Sequence, residues 1–335
     1  NTQNMKFGIG IPTSREGMRH PSPFISGPED IVKTVKLAEN LGLDSAWGSE
    51  HNNLVPVMPI PSDEPLPKWY EVLISLAYCS AVTTKIFLGT SVLLMPFREP
   101  FILAKQLATI DQFSKGRLLF GVGIGGFREE VISILGQDKS FNRGNMLDEQ
   151  LELLYLLFNK ETVSYKGNYY QIHDVKLSPK PYQNPLPTYV AGESSNISYR
   201  VANWASGQSM SMESDIPKKI ASLKIELDKR GRKISEIDLL AHGHLSLAGT
   251  REEAISKYLN SRLAAKLKPE KSHHVVESYL IGTPEQVAEK IVNCAGMGIT
   301  HTVATNITAN TLSELMEQIE MFAKEVVPLV KKAVS

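Results

Sequence analysis

A closed (β/α)8 barrel of the TIM type, an α/β fold with insertions, is what this 335-residue sequence predicts. Short, near-continuously apolar runs alternate with segments of helical period, the alternation repeats eight times, and the length suits one barrel better than two full domains. Parallel strands covered on both faces lose the in-and-out alternation of an exposed sheet, so unbroken apolar runs are their signature. The expectation is one domain over residues 1–335, with insertions near 49–69, 123–142, 160–187 and 263–282.

Lys6 to Ile11 mixes apolar residues with glycine and stops at Pro12, which predicts a buried first strand entering a loop. Pro28-Glu29-Asp30 opens a helix: proline is harmless in a first turn, and acids favour the positive helix end. Ile31, Val35 and Ala38 repeat at helical spacing until Leu41-Gly42 ends it, and Asp44 to Trp47 is the second strand. Ser49 to Trp69 is rich in proline and too long for a simple connection, which marks a functional loop. Tyr70 to Ala81 reads as helix, Ile86 to Leu94 as strand, Pro100 to Phe113 as helix and Leu118 to Val122 as strand. Leu147 to Phe158 is a long amphipathic helix, and Val163 to Ile172, aromatic around Lys166-Gly167-Asn168, a hairpin insertion. Thr188 to Val190 resumes the barrel, followed by helix Ile197 to Trp204, strand Gln208 to Met210 and helix Ile216 to Lys229. Strand Leu239 to Ala248 and a helical stretch from Arg251 come next; helix Pro284 to Ala295, strand Thr300 to Ala304 and helix Leu312 to Val330 complete the barrel.

Composition narrows the function classes. With 36 basic against 36 acidic residues and no block of Lys or Arg, the chain lacks the electrostatic footprint of nucleic-acid or anionic-membrane binding. No apolar run reaches spanning length, and Asn1 to Met5 lacks the pattern of a signal peptide, so the expectation is a cytoplasmic protein acting on a small molecule. Residues before Met5 stand outside the fold argument. Cys79 and Cys294 fall on separate predicted helices without metal-ligand spacing, and His244, His273, His274 and His301 form no ligand pattern. Two buried free thiols and no metal are expected.

In a barrel of this kind the chemistry sits at the carboxyl ends of the strands. After the second strand comes Glu50-His51-Asn52-Asn53, the densest polar cluster in the chain. Histidine takes or gives a proton near neutrality, and an adjacent carboxylate can orient it. A Glu-His pair in a loop is more often a solvated surface or a cap, but a strand's carboxyl end favours catalysis. Gly89-Thr90-Ser91-Val92 ends the third strand with small side chains that let a flat ring approach, or that simply narrow the barrel. Gly121-Val-Gly123-Ile-Gly125-Gly126 places four glycines in six residues, exposing N–H groups to a ring carbonyl or phosphate. Its spacing departs from the dinucleotide fingerprint, and that reading is rejected. Gly192-Glu193-Ser194-Ser195 leads directly into a helix, where two hydroxyls and unpaired N–H groups can hold a phosphate or merely cap the helix.

These residues carry a family likeness. Leu88 to Glu130, LGTSVLLMPFREPFILAKQLATIDQFSKGRLLFGVGIGGFREE, together with Lys180-Pro-Tyr-Gln-Asn-Pro-Leu-Pro-Thr188, resembles the bacterial luciferase-like monooxygenase family, and the similarity spans nearly the whole chain. The resemblance implies FMN or a 5-deazaflavin coenzyme at the carboxyl face, a non-proline cis peptide at Ser91-Val92, and a phosphate held by Gly192, Glu193, Ser194 and Ser195. It implies Thr90, Ser91, Val92, Gly123 and Gly125 beside the cofactor, with His51 and Glu50 as the acid or base pair. Departures from the family pattern are Asn52 in place of a second histidine, Ala191-Gly192 in place of Gly-Gly, and Ser206-Gly207-Gln208 in place of Asp-Gly-aromatic.

What the resemblance implies for activity is a monooxygenase: a separate reductase delivers reduced FMN, oxygen reacts with it, and a small organic substrate is oxidised. The loop from Asn52 to Lys68 and the segment after Gly126 would be its lids, and a homodimer would form through the second and third helices. The nearest alternative is a deazaflavin-dependent dehydrogenase or reductase on the same fold, which the Pro-rich loop before the second helix resembles equally well. A non-catalytic flavin-binding protein is the alternative of a different class, and Glu50 with His51 argues against it.

Overall fold

Strand β1 (Lys6–Ile11) sends Phe7, Ile9 and Ile11 outward to meet helices, which leaves Gly8 and Gly10 facing the barrel axis. The structure is a computed structural model that describes residues 5–13, 27–53, 68–136, 141–261, 264 and 269–334. Helix α1 (Pro28–Asn40) carries Pro28 in its first turn and buries Ile31, Val35 and Ala38. Then follow β2 (Ser45–Gly48), α2 (Val72–Val82), β3 (Phe87–Thr90), the short β4 (Leu93–Leu94), α3 (Pro100–Phe113) and β5 (Leu118–Gly123). Helices α4 (Arg128–Leu135) and α5 (Arg143–Asn159) and the hairpin β6 (Val163–Lys166) and β7 (Gln171–Val175) precede β8 (Thr188–Ala191). The remaining elements are α6 (Ile197–Trp204), β9 (Gly207–Ser211), α7 (Ile216–Asp228), β10 (Asp238–Leu247), α8 (Arg251–Leu259) and α9 (Pro269–Ser278). After them come β11 (Leu280–Gly282), α10 (Pro284–Gly296), β12 (His301–Ile307), α11 (Leu312–Met321) and α12 (Val327–Val334), the last two joined through a π-helical turn.

Eight parallel strands close the barrel in the order β1, β2, β3, β5, β8, β9, β10, β12, and β12 returns to β1 with Lys6 opposite His301. The predicted fold class is therefore the observed one. The boundaries of α3 and α6 coincide with the sequence reading, and Cys79 and Cys294 are free and buried as expected. The peptide between Ser91 and Val92 is cis, as the resemblance implied, and the third strand divides there into β3 and β4. Helices α4 and α9 and strand β11 were not anticipated. Helix α4 occupies the segment after Gly126, and β11 adds a three-residue strand to the upper half of β10, where Leu245 faces Leu280. Among the described residues no helix is long and apolar enough to cross a membrane.

The barrel is plugged from within by Trp47, Leu119, Tyr189, Leu240 and Val303. Trp47 lies across the axis, and neighbouring strands make room for it: a Cβ on Gly89 would stand 2.3 Å from its ring. Tyr189 meets Trp47 edge-on with ring centroids 5.5 Å apart and fills the space beside Gly207. Below the plug the floor is polar. The Trp47 indole donates to Ser45 Oγ at 2.8 Å, and Ser45 Oγ lies 2.8 Å from His301 Nε2. Tyr189 donates its hydroxyl to Asp238 at 2.7 Å, and Lys6 reaches the same carboxylate at 3.1 Å. Above the plug, the inward positions on β5, β8 and β9 are Gly123, Ala191, Ser209 and Ser211, and this end is where the strand-end loops converge.

Candidate active site

His51 leaves the end of β2 with its imidazole half-buried between the rings of Trp69 and Phe127, at centroid distances of 6.0 and 5.6 Å. Its Nδ1 stands 3.0 Å from Oε2 of Glu130, a residue of α4 that is 1% exposed. The other Glu130 oxygen accepts the backbone N–H groups of Asn52 at 2.5 Å and Asn53 at 3.3 Å, so one carboxylate gathers the start of the loop and the imidazole together. Burial acts to raise the Glu130 pKa, but the hydrogen bonds from His51, Asn52 and Asn53 outweigh it and hold the group below the ordinary carboxylate range.

Glu50 points elsewhere. Successive residues of an extended segment project to opposite sides, and the Glu50 carboxylate, buried, accepts the Leu94 N–H at 2.7 Å and bonds the Arg98 guanidinium. Arg98 also reaches Glu71, the N-cap of α2, at 2.8 Å. The expected orienting pair of Glu50 and His51 is therefore corrected: the carboxylate on the imidazole is Glu130, and Glu50 ties the end of β2 to β4 and α2. Glu130 lies 79 positions from His51 and was missed. A signal for its helix was present in Arg128-Glu-Glu-Val-Ile-Ser-Ile-Leu135, with acids in the first turn and Gly136 ending it at a φ of 64°.

The candidate cofactor residues divide. Thr90 is not free to bind, since its hydroxyl donates to Gly121 O at 2.6 Å and accepts the Gly121 N–H at 2.9 Å. Its contribution is to lock β3 to β5. Ser91 and Val92 are half-buried at the mouth. A Cβ on Gly123 would stand 2.9 Å from Val92 Cγ2, so glycine there is what lets the Val92 side chain lie over β5. Gly125 adopts a φ of +80°, which favours glycine, and its carbonyl accepts from Arg143 at 2.9 Å.

Residues 192–196 form an exposed loop at the N-terminus of α6. Ser194 Oγ accepts the Asn196 N–H at 3.2 Å and keeps its own proton to donate, and no side chain caps the helix. Hydroxyls and helix N–H groups thus face the same solvent, a suitable bed for an anion. Glu193 is an exception among the predicted ligands: its carboxylate pairs with Lys219 at 2.7 Å and accepts from Ser214 at 3.0 Å, and a carboxylate repels phosphate. Its backbone remains available, and Lys219, on α7, is a cation beside the loop that nothing in the sequence singled out. Of the expected lids, residues 54–67 lie outside the described residues, whereas the segment after Gly126 holds α4 and so carries Glu130.

The model of the luciferase-like monooxygenase family matches residues 5–301. An F420-dependent glucose-6-phosphate dehydrogenase of Amycolatopsis mediterranei is 29% identical over 263 residues, 74% of each chain. An FMNH(2)-dependent dimethylsulfone monooxygenase of Pseudomonas putida is 27% identical over 301 residues, covering 75% of this chain and 76% of its own. Among solved structures, a monooxygenase from Streptomyces bottropensis superimposes with a TM-score of 0.80 at 22% identity, over 97% of this chain and 99% of its own, which speaks to the fold.

Proposed function

The chain belongs to the luciferase-like monooxygenase family, and from that membership we propose that it takes reduced FMN from a separate reductase and uses oxygen to oxidise a small organic substrate. It is an enzyme, an oxidoreductase of that family. The observation that carries the finer reading is the setting of His51, whose side chain is 15% exposed, shielded by Trp69 and Phe127 and held by a buried carboxylate at the barrel mouth.

The residues present fit a flavin phosphate, because the exposed hydroxyls of Ser194 and Ser195 stand at an uncapped helix end beside Lys219. Gly192, Ser194, Ser195 and the Glu193 backbone would hold that phosphate, and Ser91, Val92, Gly123 and Gly125 would bound the ring. Reduced FMN, when bound, supplies the oxygen chemistry. Trp69 and Phe127 limit water at the site, and His51 holds or moves a proton at Nε2. Hydride transfer with a deazaflavin coenzyme is the second reading, favoured by the higher identity to the F420-dependent dehydrogenase.

Anaerobic titration with reduced FMN and with the reduced deazaflavin coenzyme separates the two. Binding of reduced FMN at micromolar concentration or tighter, with oxygen uptake that follows added substrate, is the expected result. Tight binding of the deazaflavin alone, without oxygen uptake, would replace the monooxygenase by the hydride-transfer enzyme.

A homodimer is also proposed. Ile74 and Ile102 are 72% and 56% exposed and rim an apolar groove with Leu73, Ala77 and Phe97 between α2 and α3. Water-exposed apolar surface of that kind marks a contact face, and a self-complementary patch gives a two-fold dimer. Sedimentation equilibrium should find two chains for the wild type and one for Ile102→Glu; a monomeric wild type removes the proposal.

A further inference from the structure

We propose that Glu130 is a positioning residue that decides which imidazole nitrogen of His51 carries the proton, fixing Nδ1 as the donor and leaving Nε2 as the acceptor at the mouth. The inference rests on the reading of His51 as the proton-handling group, and it assigns that group a resting state.

An ionised carboxylate has no proton to give and can only accept. Three donors converge on this one: His51 Nδ1 at 3.0 Å on Oε2, and the N–H groups of Asn52 at 2.5 Å and Asn53 at 3.3 Å on Oε1. Neutral imidazole holds a proton on one nitrogen, so a hydrogen bond between Nδ1 and a carboxylate places it on Nδ1. The other faces of the ring meet Trp69 and Phe127, and the adjacent carboxylate, Glu50, is turned to Arg98. The low pKa of Glu130 agrees with this arrangement, since each donor favours the charged form.

The division of labour between the two oxygens makes the idea testable. In Glu130→Gln the amide oxygen takes the place of Oε1 and still accepts from Asn52 and Asn53, while the amide NH2 meets Nδ1 as a donor. Nδ1 must then accept, and the proton moves to Nε2. Nitrogen NMR of protein labelled at histidine, with the His51 signals identified from a His51→Gln sample, reads the tautomer without cofactor or substrate. At a pH where the ring is neutral, the expected results are an Nδ1-protonated ring in the wild type, the Nε2-protonated ring in Glu130→Gln, and return of the first form in Glu130→Asp. A wild-type ring protonated at Nε2 overturns the proposal, and so does a Glu130→Gln ring unchanged from wild type. If Glu130→Gln does not fold, the wild-type spectrum alone decides. A carboxylate that only clamps the loop would lower thermal stability on substitution without moving the tautomer. The cofactor titrations stand apart from this measurement, so loss of the monooxygenase reading leaves it interpretable.

Discussion

His51→Ala should reduce turnover about 10²- to 10⁴-fold, the range set by losing one general acid or base, while the protein stays folded. The effect should fall on kcat more than on KM, because a group that handles a proton acts in the transition state. Stability should change by about 1 kcal/mol, the net worth of an intramolecular hydrogen bond. Glu130 keeps its two backbone donors in that variant, so its buried carboxylate is not left unpaired. Steady-state kinetics alongside urea unfolding measure both quantities. Wild-type turnover in a folded His51→Ala protein would take the histidine out of the reaction. A loss of turnover matched by a large loss of stability would instead show that the imidazole serves to hold α4 against the loop.

How much of this site the sequence disclosed follows from range. Elements bounded by proline, glycine or a capping acid were legible, as with α3, where Pro100 sits behind the Glu99 cap and Phe113 ends the helix. Helix α4 has eight residues, too few for its period to stand out, and β11 has three, which acquire meaning only by pairing with β10. The position of His51 at a strand end was readable because barrel geometry fixes where strand ends lie. Its partner was not. Glu50 is adjacent in the chain yet faces Arg98, and Glu130 is distant in the chain yet touches the imidazole. Local sequence gives direction along a strand, but contacts across the mouth depend on how α4 returns over the loop. The plug shows the same limit: Gly89 looks like a place for a ligand ring in one dimension, and in three its missing side chain is filled by Trp47.

Lowering the pH from 6.5 to 4 should cost the fold about 3 kcal/mol through His301 alone, at about 1.4 kcal/mol for each unit of pKa difference. Complete burial pushes its pKa down from 6.5 to about 4, with Asp238 opposing and Lys6 assisting. The folded value lies below the unfolded one, so between these limits the unfolded chain binds more protons. Stability is therefore whole above pH 6.5, falls as pH drops to 4, and is independent of this group below that. His301→Gln keeps an acceptor for Ser45 and cannot titrate. The stability gap between wild type and this variant, read from urea unfolding at pH 7, 5.5 and 4.5, should narrow steadily on acidification; parallel curves would show that the ring gains its proton without penalty. Asp238 loses its charge below this range in the wild type. Burial would raise its pKa, but His301, Lys6, Thr300 and Tyr189 hold it below 3.8, so its stabilising effect is lost only at still lower pH. The ring that supports Trp47 from beneath through Ser45 is thus expected to weaken the barrel in acid, at the end opposite the proposed chemistry.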